Sequence, residues 1–289
     1  MMNITDEIMK QKLLLILGLI LNYGYINSQT ATTVPSLKCQ YEYTSVKDSL
    51  ANSQKEDLMF LIAGAKESAF YSYYTFQADS IRQEPDYEQK WKQTFLAAFQ
   101  KDGASASNFY FRRNSSYIYK NFSSGKITIY DDIDNSLYCY EDSLDSQNWE
   151  VCDSIKTVLG YRCEMAKAYY HGRRWIAWFT CDIPVSNGPW KLGGLPGLIL
   201  EAYDTDFQHR FVINGIQTIK TYTAYDRSKY GKFKKTTRKK FLKAKRKYEE
   251  DSARLIQART GIDLDLSNAS NVLHRDYLET DYQTSTSDK

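Results

Sequence analysis

Residues Tyr161–Tyr203 read YRCEMAKAYYHGRRWIAWFTCDIPVSNGPWKLGGLPGLILEAY. From Tyr161 to Asp182 two runs rich in aromatic and β-prone residues flank His171-Gly172-Arg173, the pattern of a hairpin. If those three residues form the loop, Tyr170 faces Arg174 and Cys163 lies opposite Cys181. Directly opposed Cβ atoms sit about 4.5–5.5 Å apart, a small shift from disulfide distance. A two-residue loop slips the pairing by one and leaves only a diagonal reach. With the three-residue loop, Met165 faces Phe179 and Tyr169 faces Trp175 on one side. The other side then sets Ala166 against Trp178 and Tyr170 against Arg174. Both faces are substantially apolar, which suits a covered sheet or an enclosed apolar ligand. In the second case Trp175, Trp178, Trp190 and Arg174 are the candidate ligand-binding residues.

The bridge that follows concentrates three of the five prolines and four of the fourteen glycines between Pro184 and Gly197. Pro196-Gly197 suits the centre of a type II turn, with Pro fixing φ and Gly taking the positive φ. Asn187-Gly188 and Gly193-Gly194 supply further bends, after which Leu198–Tyr203 reads as a strand. No Gly-Lys-Ser/Thr follows Gly188–Gly194 and no helix pattern follows the bridge, so a phosphate loop is excluded.

Outward from this centre the pattern is mostly β. Lys38–Val46, Asp57–Ala63, Phe109–Phe111, Tyr117–Phe122, Lys126–Tyr130, Ser136–Glu141 and Trp149–Cys152 alternate, with turns at Asn114-Ser115, Ser124-Gly125 and Asp131–Asn135. Ser68–Gln100 is rich in Tyr, Phe, Gln, Lys and Ala, and in its later part, Tyr87–Phe99, the main early helix is expected, with Trp91, Phe95, Leu96 and Phe99 at helical spacing as a packing face. A second hairpin is expected over Leu198–Ile213. The fold class expected is α+β: a curved, half-barrel-like antiparallel sheet packed on a long helix, with a basic C-terminal helix.

Composition limits the function. At 289 residues, 42% hydrophobic and 25% charged, the chain is neither disordered nor collagenous nor a polytopic membrane protein. Aromatics reach 15%, which favours half-buried strands. Lys10 and Lys12 precede the apolar run Leu13–Leu21, with a polar stretch to Gln29 and a small residue at Ser28. That is the build of a secretory signal peptide, so residues 1–29 are expected to be removed and the mature chain exported to a periplasm or the cell exterior. In an oxidising compartment disulfides are expected, Cys163 with Cys181 and Cys139 with Cys152, leaving Cys39 over. Residues 30–225 then form the α+β domain and 226–289 a basic helix and polar tail. Between Arg227 and Lys247 stand twelve of the 38 Lys and Arg and no acid, leaving 26 basic against 35 acidic residues elsewhere. A solvated helix, contact with an anionic surface through 227–247, and nucleic-acid binding compete for this block; export argues against nucleic acid.

The motifs resemble a known family. Gly194-Leu195-Pro196-Gly197-Leu198-Ile199 matches the hexapeptide of the GLPGLI family, exported proteins largely of Bacteroidota. Tyr161–Ala166, Gly172-Arg173, Trp175–Phe179, Asp182–Pro184, Gly188-Pro189-Trp190-Lys191, Met59–Leu61 and Ser68–Phe70 are similar to its other blocks. The resemblance runs from about Tyr41 to Ile216. It implies an exported, mostly β domain, with Gly188, Pro189 and Gly194–Ile199 as a structural motif, and it transfers no activity.

Catalytic constellations are sparse. If the second hairpin turns at Asp204-Thr205-Asp206, Glu201 faces His209, an acid–base pair that with Asp204 or Asp206 suits a hydrolase, or else an ordinary cross-strand ion pair. No Gly-x-Ser-x-Gly precedes a helix and no H-E-x-x-H is present. His171, His209 and His274 show no metal-ligand spacing, so neither metal nor cofactor is expected. The leading expectation is a non-enzymatic exported binding or carrier protein for an apolar or envelope-associated ligand. The alternatives are a partner of an outer-membrane transport system, touching it through the bridge around Trp190, and the Glu201/His209 hydrolase.

Overall fold

Twelve strands among the described residues join edge to edge in one open sheet. They are β1 (Ser36–Asp48), β2 (Ser53–Ala63), β3 (Glu67–Ser72), β4 (Tyr117–Asn121), β5 (Lys126–Ile133) and β6 (Ser136–Ser143), then β7 (Glu150–Val158), β8 (Tyr161–Tyr170), β9 (Arg173–Thr180), β10 (Leu198–Asp204), β11 (His209–Ile219) and β12 (Lys234–Lys235). The computed structural model describes residues 36–48, 53–102, 112–134, 136–144, 147–260 and 277–282. The expected signal segment, residues 1–29, and the expected strand Phe109–Phe111 lie outside them.

The strand order is β12-β6-β5-β4-β3-β2-β1-β11-β10-β9-β8-β7. It consists of two antiparallel meanders, β1 to β6 and β7 to β11, fused where β1 pairs with β11. Only β12 runs parallel to its neighbour β6, which makes the sheet mixed. Alternation puts one face together. Cys39 pairs with Leu61, Leu61 with Phe70, Phe70 with Ile118, Ile118 with Ile129 and Ile129 with Tyr140, a buried ladder across six strands. On the opposite face Phe60, Ile62, Ala69, Tyr71 and Tyr117 form a smaller cluster, closed by Phe76, Tyr222 and Tyr225.

This corrects the expected half-barrel on a long helix. The sheet is open and mixed, and Ser68–Gln100 holds a strand and two helices, the second of which contains the expected helical stretch Tyr87–Phe99. Ser68–Ser72 is buried strand between β2 and β4, with Phe70 packed on one face of the sheet and Ala69 and Tyr71 on the other, aromatics that suit a pleated interior. Ser72 then accepts a hydrogen bond from the N–H of Thr75 and caps a short helix α1 (Tyr73–Ile81). A second helix α2 (Tyr87–Asp102) starts after Pro85. Its Leu96 is exposed, and the side chains of Trp91, Phe95 and Phe99 lie outside the described residues. Helix α3 (Arg238–Thr260) covers part of the main face through Phe241, whose ring meets Tyr138 and Tyr140 of β6 at 5.6 and 5.1 Å.

Two registers differ from expectation. The β8–β9 turn contains only His171 and Gly172, at φ +51° and +86°, and pairs Tyr170 with Arg173. Every partner slips by one: Met165 faces Trp178, Ala168 faces Trp175 and Tyr169 faces Arg174. The β10–β11 loop is longer than expected, because the Asp204 carboxylate accepts from the His209 N–H at 2.6 Å and Phe207 takes a positive φ. Glu201 consequently faces Val212, not His209.

The expected disulfides do not form; all five cysteines are free. The slipped register removes the Cys163–Cys181 opposition, leaving Cys163 in the core and Cys181 exposed past the end of β9. Cys139 on β6 and Cys152 on β7 stand toward opposite edges of the sheet.

Candidate functional site

The bridge between β9 and β10 folds back onto the main face of the sheet, so its backbone needs internal partners. Lys120, on β4 in phase with Ile118, supplies them. Its ammonium donates to Asn187 Oδ1 at 2.9 Å, to the Gly188 carbonyl at 3.0 Å and to the Leu192 carbonyl at 2.6 Å. The Trp149 indole donates to the Gly193 carbonyl, and Gln147 accepts from the Gly193 N–H. Lys120 is 2% exposed, and burial among neutral oxygens lowers its pKa to about 7.

The motif's glycines and prolines answer to geometry. Positive φ falls at Trp190 and Gly194, not at Gly197, so the expected type II turn is corrected. Gly197 is needed for close approach: a Cβ there would come 2.0 Å from the Thr180 carbonyl oxygen. Gly188 and Pro189 are buried and Leu195, Leu198 and Ile199 are core residues, while Gly194 and Pro196 mark the exposed bends.

Above this floor lies a cleft of about 290 Å³, bounded by the sheet, the bridge, α3 and residues 277–282. Tyr43, Tyr140 and Trp190 give it aromatic walls, and Asn114, Ser115 and Ser116 give it polar ones. Tyr43 Oη lies 2.9 Å from His209 Nδ1. Burial raises the Asp57 carboxyl, although the Asn114 N–H and the Ser72 hydroxyl both donate to it. Burial would likewise raise Asp131, but Lys245 at 2.7 Å and the hydroxyls of Ser115 and Ser116 hold it below the usual carboxylate range.

At one end of the cleft lies a charge network. Lys191, 1% exposed, reaches Asp142 at 2.7 Å and Glu279 at 2.8 Å. His171 Nε2 lies 3.0 Å from Asp142, and Nδ1 lies 3.2 Å from Asp281. Arg238 pairs with Glu279 and Asp281. Against the burial that would raise it, the His171 hydrogen bond and the Lys191 ammonium hold Asp142 well below the usual carboxylate range. Donor atoms of Asp142, His171 and Glu279 converge within 4.8 Å, a spacing a metal ion could use. The Lys191 ammonium between the two carboxylates already supplies the positive charge such an ion would bring.

Of the four candidate ligand residues, the structure brings Trp175 and Trp190 together and places Trp178 and Arg174 apart from them. Trp175 and Trp190 meet in the core, their rings tilted by 32° with centres 5.4 Å apart. Trp178 lies on the other side of β9 under the Lys156 ammonium, 4.3 Å from its ring centre, and Arg174 is exposed. Trp190 therefore lines the cleft wall, and the bridge shows no exposed tryptophan. Glu201 pairs with Lys156 and with Arg210 at 2.8 Å. Asp204 holds Arg173 at 2.8 Å, and Asp206 is exposed. Sequence reasoning missed Lys120, Lys191, Arg238 and residues 277–282. A lysine two places from Ile118 on the same strand face was the available signal; the others owe their role to long-range packing.

A family model described as "Protein of unknown function (Porph_ging)" matches residues 170–201, which hold the β8–β9 turn, β9, the bridge and the hexapeptide Gly194–Ile199. No curated protein matches the sequence. Among solved structures the chain is similar to two crystal forms of PNGF-II, at 12% and 14% identity with TM-scores of 0.48 and 0.46. These alignments cover 72% and 71% of this chain and 32% and 31% of those, so the chain spans about a third of the PNGF-II length. It is also similar to a putative outer membrane lipoprotein-sorting protein domain from Vibrio parahaemolyticus, at 7% identity and a TM-score of 0.27, covering 69% of this chain and 91% of that one. At these scores no activity transfers. No helix among the described residues is long and apolar enough to cross a membrane.

Proposed function

We propose that the chain is an exported binding or carrier protein of the GLPGLI type, acting without catalysis in a periplasm or outside the cell. The cleft carries this reading. Its volume of about 290 Å³ suits a small molecule, and it combines aromatic walls with fixed polar groups. Such walls favour a ligand with an apolar body and one polar end rather than a purely apolar one. The apolar amino-terminal run and the short family match support the compartment and family parts of the reading.

The alternatives fare less well. Glu201 is neutralised by Lys156 and Arg210 and is not opposite His209, which weakens the hydrolase. A transporter contact through Trp190 requires a surface tryptophan, and this one is 4% exposed. The test is mass spectrometry of the protein after gentle extraction from its native envelope. A small molecule should accompany it in near-stoichiometric amount, and Leu242→Trp, which narrows the cleft from the helix side, should abolish its retention without lowering Tm. Equal retention by that variant, or nothing retained by the native protein, would defeat the proposal.

A further inference from the structure

Residues Tyr277–Tyr282 belong to no helix or strand, yet they are held tightly against the β8–β9 turn. The Thr280 N–H donates to the His171 carbonyl at 3.0 Å, and its hydroxyl donates to the Gly172 carbonyl at 3.1 Å. The Arg173 guanidinium donates to the Tyr277 carbonyl at 3.0 Å. Glu279, 6% exposed, is clasped by Lys191 and Arg238, and Arg238 also grips Asp281. Leu278 packs on the core and Tyr282 is buried beside it. Gly172 makes the approach possible, because a Cβ there would come 2.2 Å from Thr280 Oγ1 and 2.6 Å from the Asp281 nitrogen.

The receiving groups are fixed independently of the segment they receive. Lys191 is held by Asp142 at 2.7 Å, Arg238 lies 3.5 Å from the same carboxylate, and His171 is on a two-residue turn. With Glu279 and Asp281 removed, two buried or half-buried cations and a histidine share Asp142 alone. That is the electrostatic profile of a carboxylate receptor. Tyr277, Leu278, Glu279 and Tyr282 also line the cleft, so the occupant of this receptor forms part of the cleft's wall.

We propose that Lys191, Arg238, His171 and the β8–β9 turn form a recognition site for an acidic peptide, and that Tyr277–Tyr282 is its resident, displaceable occupant. The preferred ligand class is an extended peptide with two carboxylates one residue apart, flanked by a leucine and a tyrosine. The site stands whether or not the cleft holds a small molecule, and its test uses no such molecule.

The experiment compares the full native chain with the full-length double variant Glu279→Gln, Asp281→Asn. Amide exchange follows the Thr280 N–H, and a fluorescent peptide of sequence Tyr277–Tyr282 is titrated beside its Gln/Asn counterpart. Thr280 should be protected in the native chain and lose at least about tenfold of that protection in the variant. The acidic peptide should bind the variant at least about tenfold more tightly than the neutral peptide does, and should bind the native chain more weakly than the variant. Equal Thr280 protection in both chains would overturn the proposal, as would an opened variant that binds both peptides alike or neither. If the double variant loses core amide protection as well, Asp281→Asn alone and a salt titration of the native chain replace it. Thr280 exchange must then rise with salt while core exchange does not, and an unchanged ratio overturns the proposal.

Discussion

Lys120 places an amine inside a cage of neutral oxygens, and the consequence is measurable. The folded chain releases its proton near pH 7, whereas the unfolded chain keeps it up to the ordinary value of 10.5. Between those limits the unfolded state binds more protons, so this group makes stability rise with pH, by at most ~1.4 kcal/mol per pH unit. Urea midpoints measured from pH 7 to 9 should climb more steeply for the native protein than for Lys120→Met. The variant should be less stable throughout, because three carbonyl oxygens lose their donor. Two glycines of the motif separate in a similar way. Gly197→Ala drives a methyl group into the Thr180 carbonyl and should cost about 3 kcal/mol or more, whereas Gly194→Ala meets open space at positive φ and should cost about 1 kcal/mol. Thermal unfolding of the pair would show it. The cysteines offer a third check: native-state alkylation should mark exposed Cys181 quickly and spare Cys39, whose thiol burial pushes up to about 12, and Cys163.

Among the elements, helix α3 divides its labour by face. Phe241 inserts between aromatic rings of β6, and Phe241→Ala should cost about 3–5 kcal/mol, read by chemical denaturation. Lys240, Lys243 and Lys247 are exposed on the far side. Reversing them together to Glu should leave stability within about 0.5 kcal/mol for each site. The same change should weaken sedimentation with anionic vesicles at low salt, if this face meets such a surface. Strand positions were readable because alternation is local: Lys38–Val46 lies within β1 and Ser136–Glu141 within β6. Register was not, because it turns on loop length. One residue fewer at His171-Gly172 shifted every β8–β9 pair and took Cys181 out of register with Cys163, and a capping carboxylate at Asp204 moved Glu201 away from His209. The early helix was readable from its own period, since Tyr87–Phe99 lies within α2, whereas Ser68–Ser72 has aromatics that suit either period and only its neighbours β2 and β4 decide it.

At the scale of the whole molecule, the fusion of two meanders was invisible in the sequence, since alternation identifies strands without naming partners. The junction joins Ser36 to Ile219 and Ser45 to His209, long-range pairings that no turn signal announces. The site follows from that junction. It brings Tyr43 and His209 beside each other on one face, and the bridge, α3 and residues 277–282 then roof the same face. An unclosed ribbon of twelve strands also has two rims. One is guarded by the lysine pair of β12, whereas at the other, β7, Val151 and Ile155 stand half-uncovered beside an irregularity that interrupts pairing. Crowding should therefore make this protein stick to itself from the β7 side first, and a charge placed at Val151 should delay clouding more than one placed anywhere on the lysine rim.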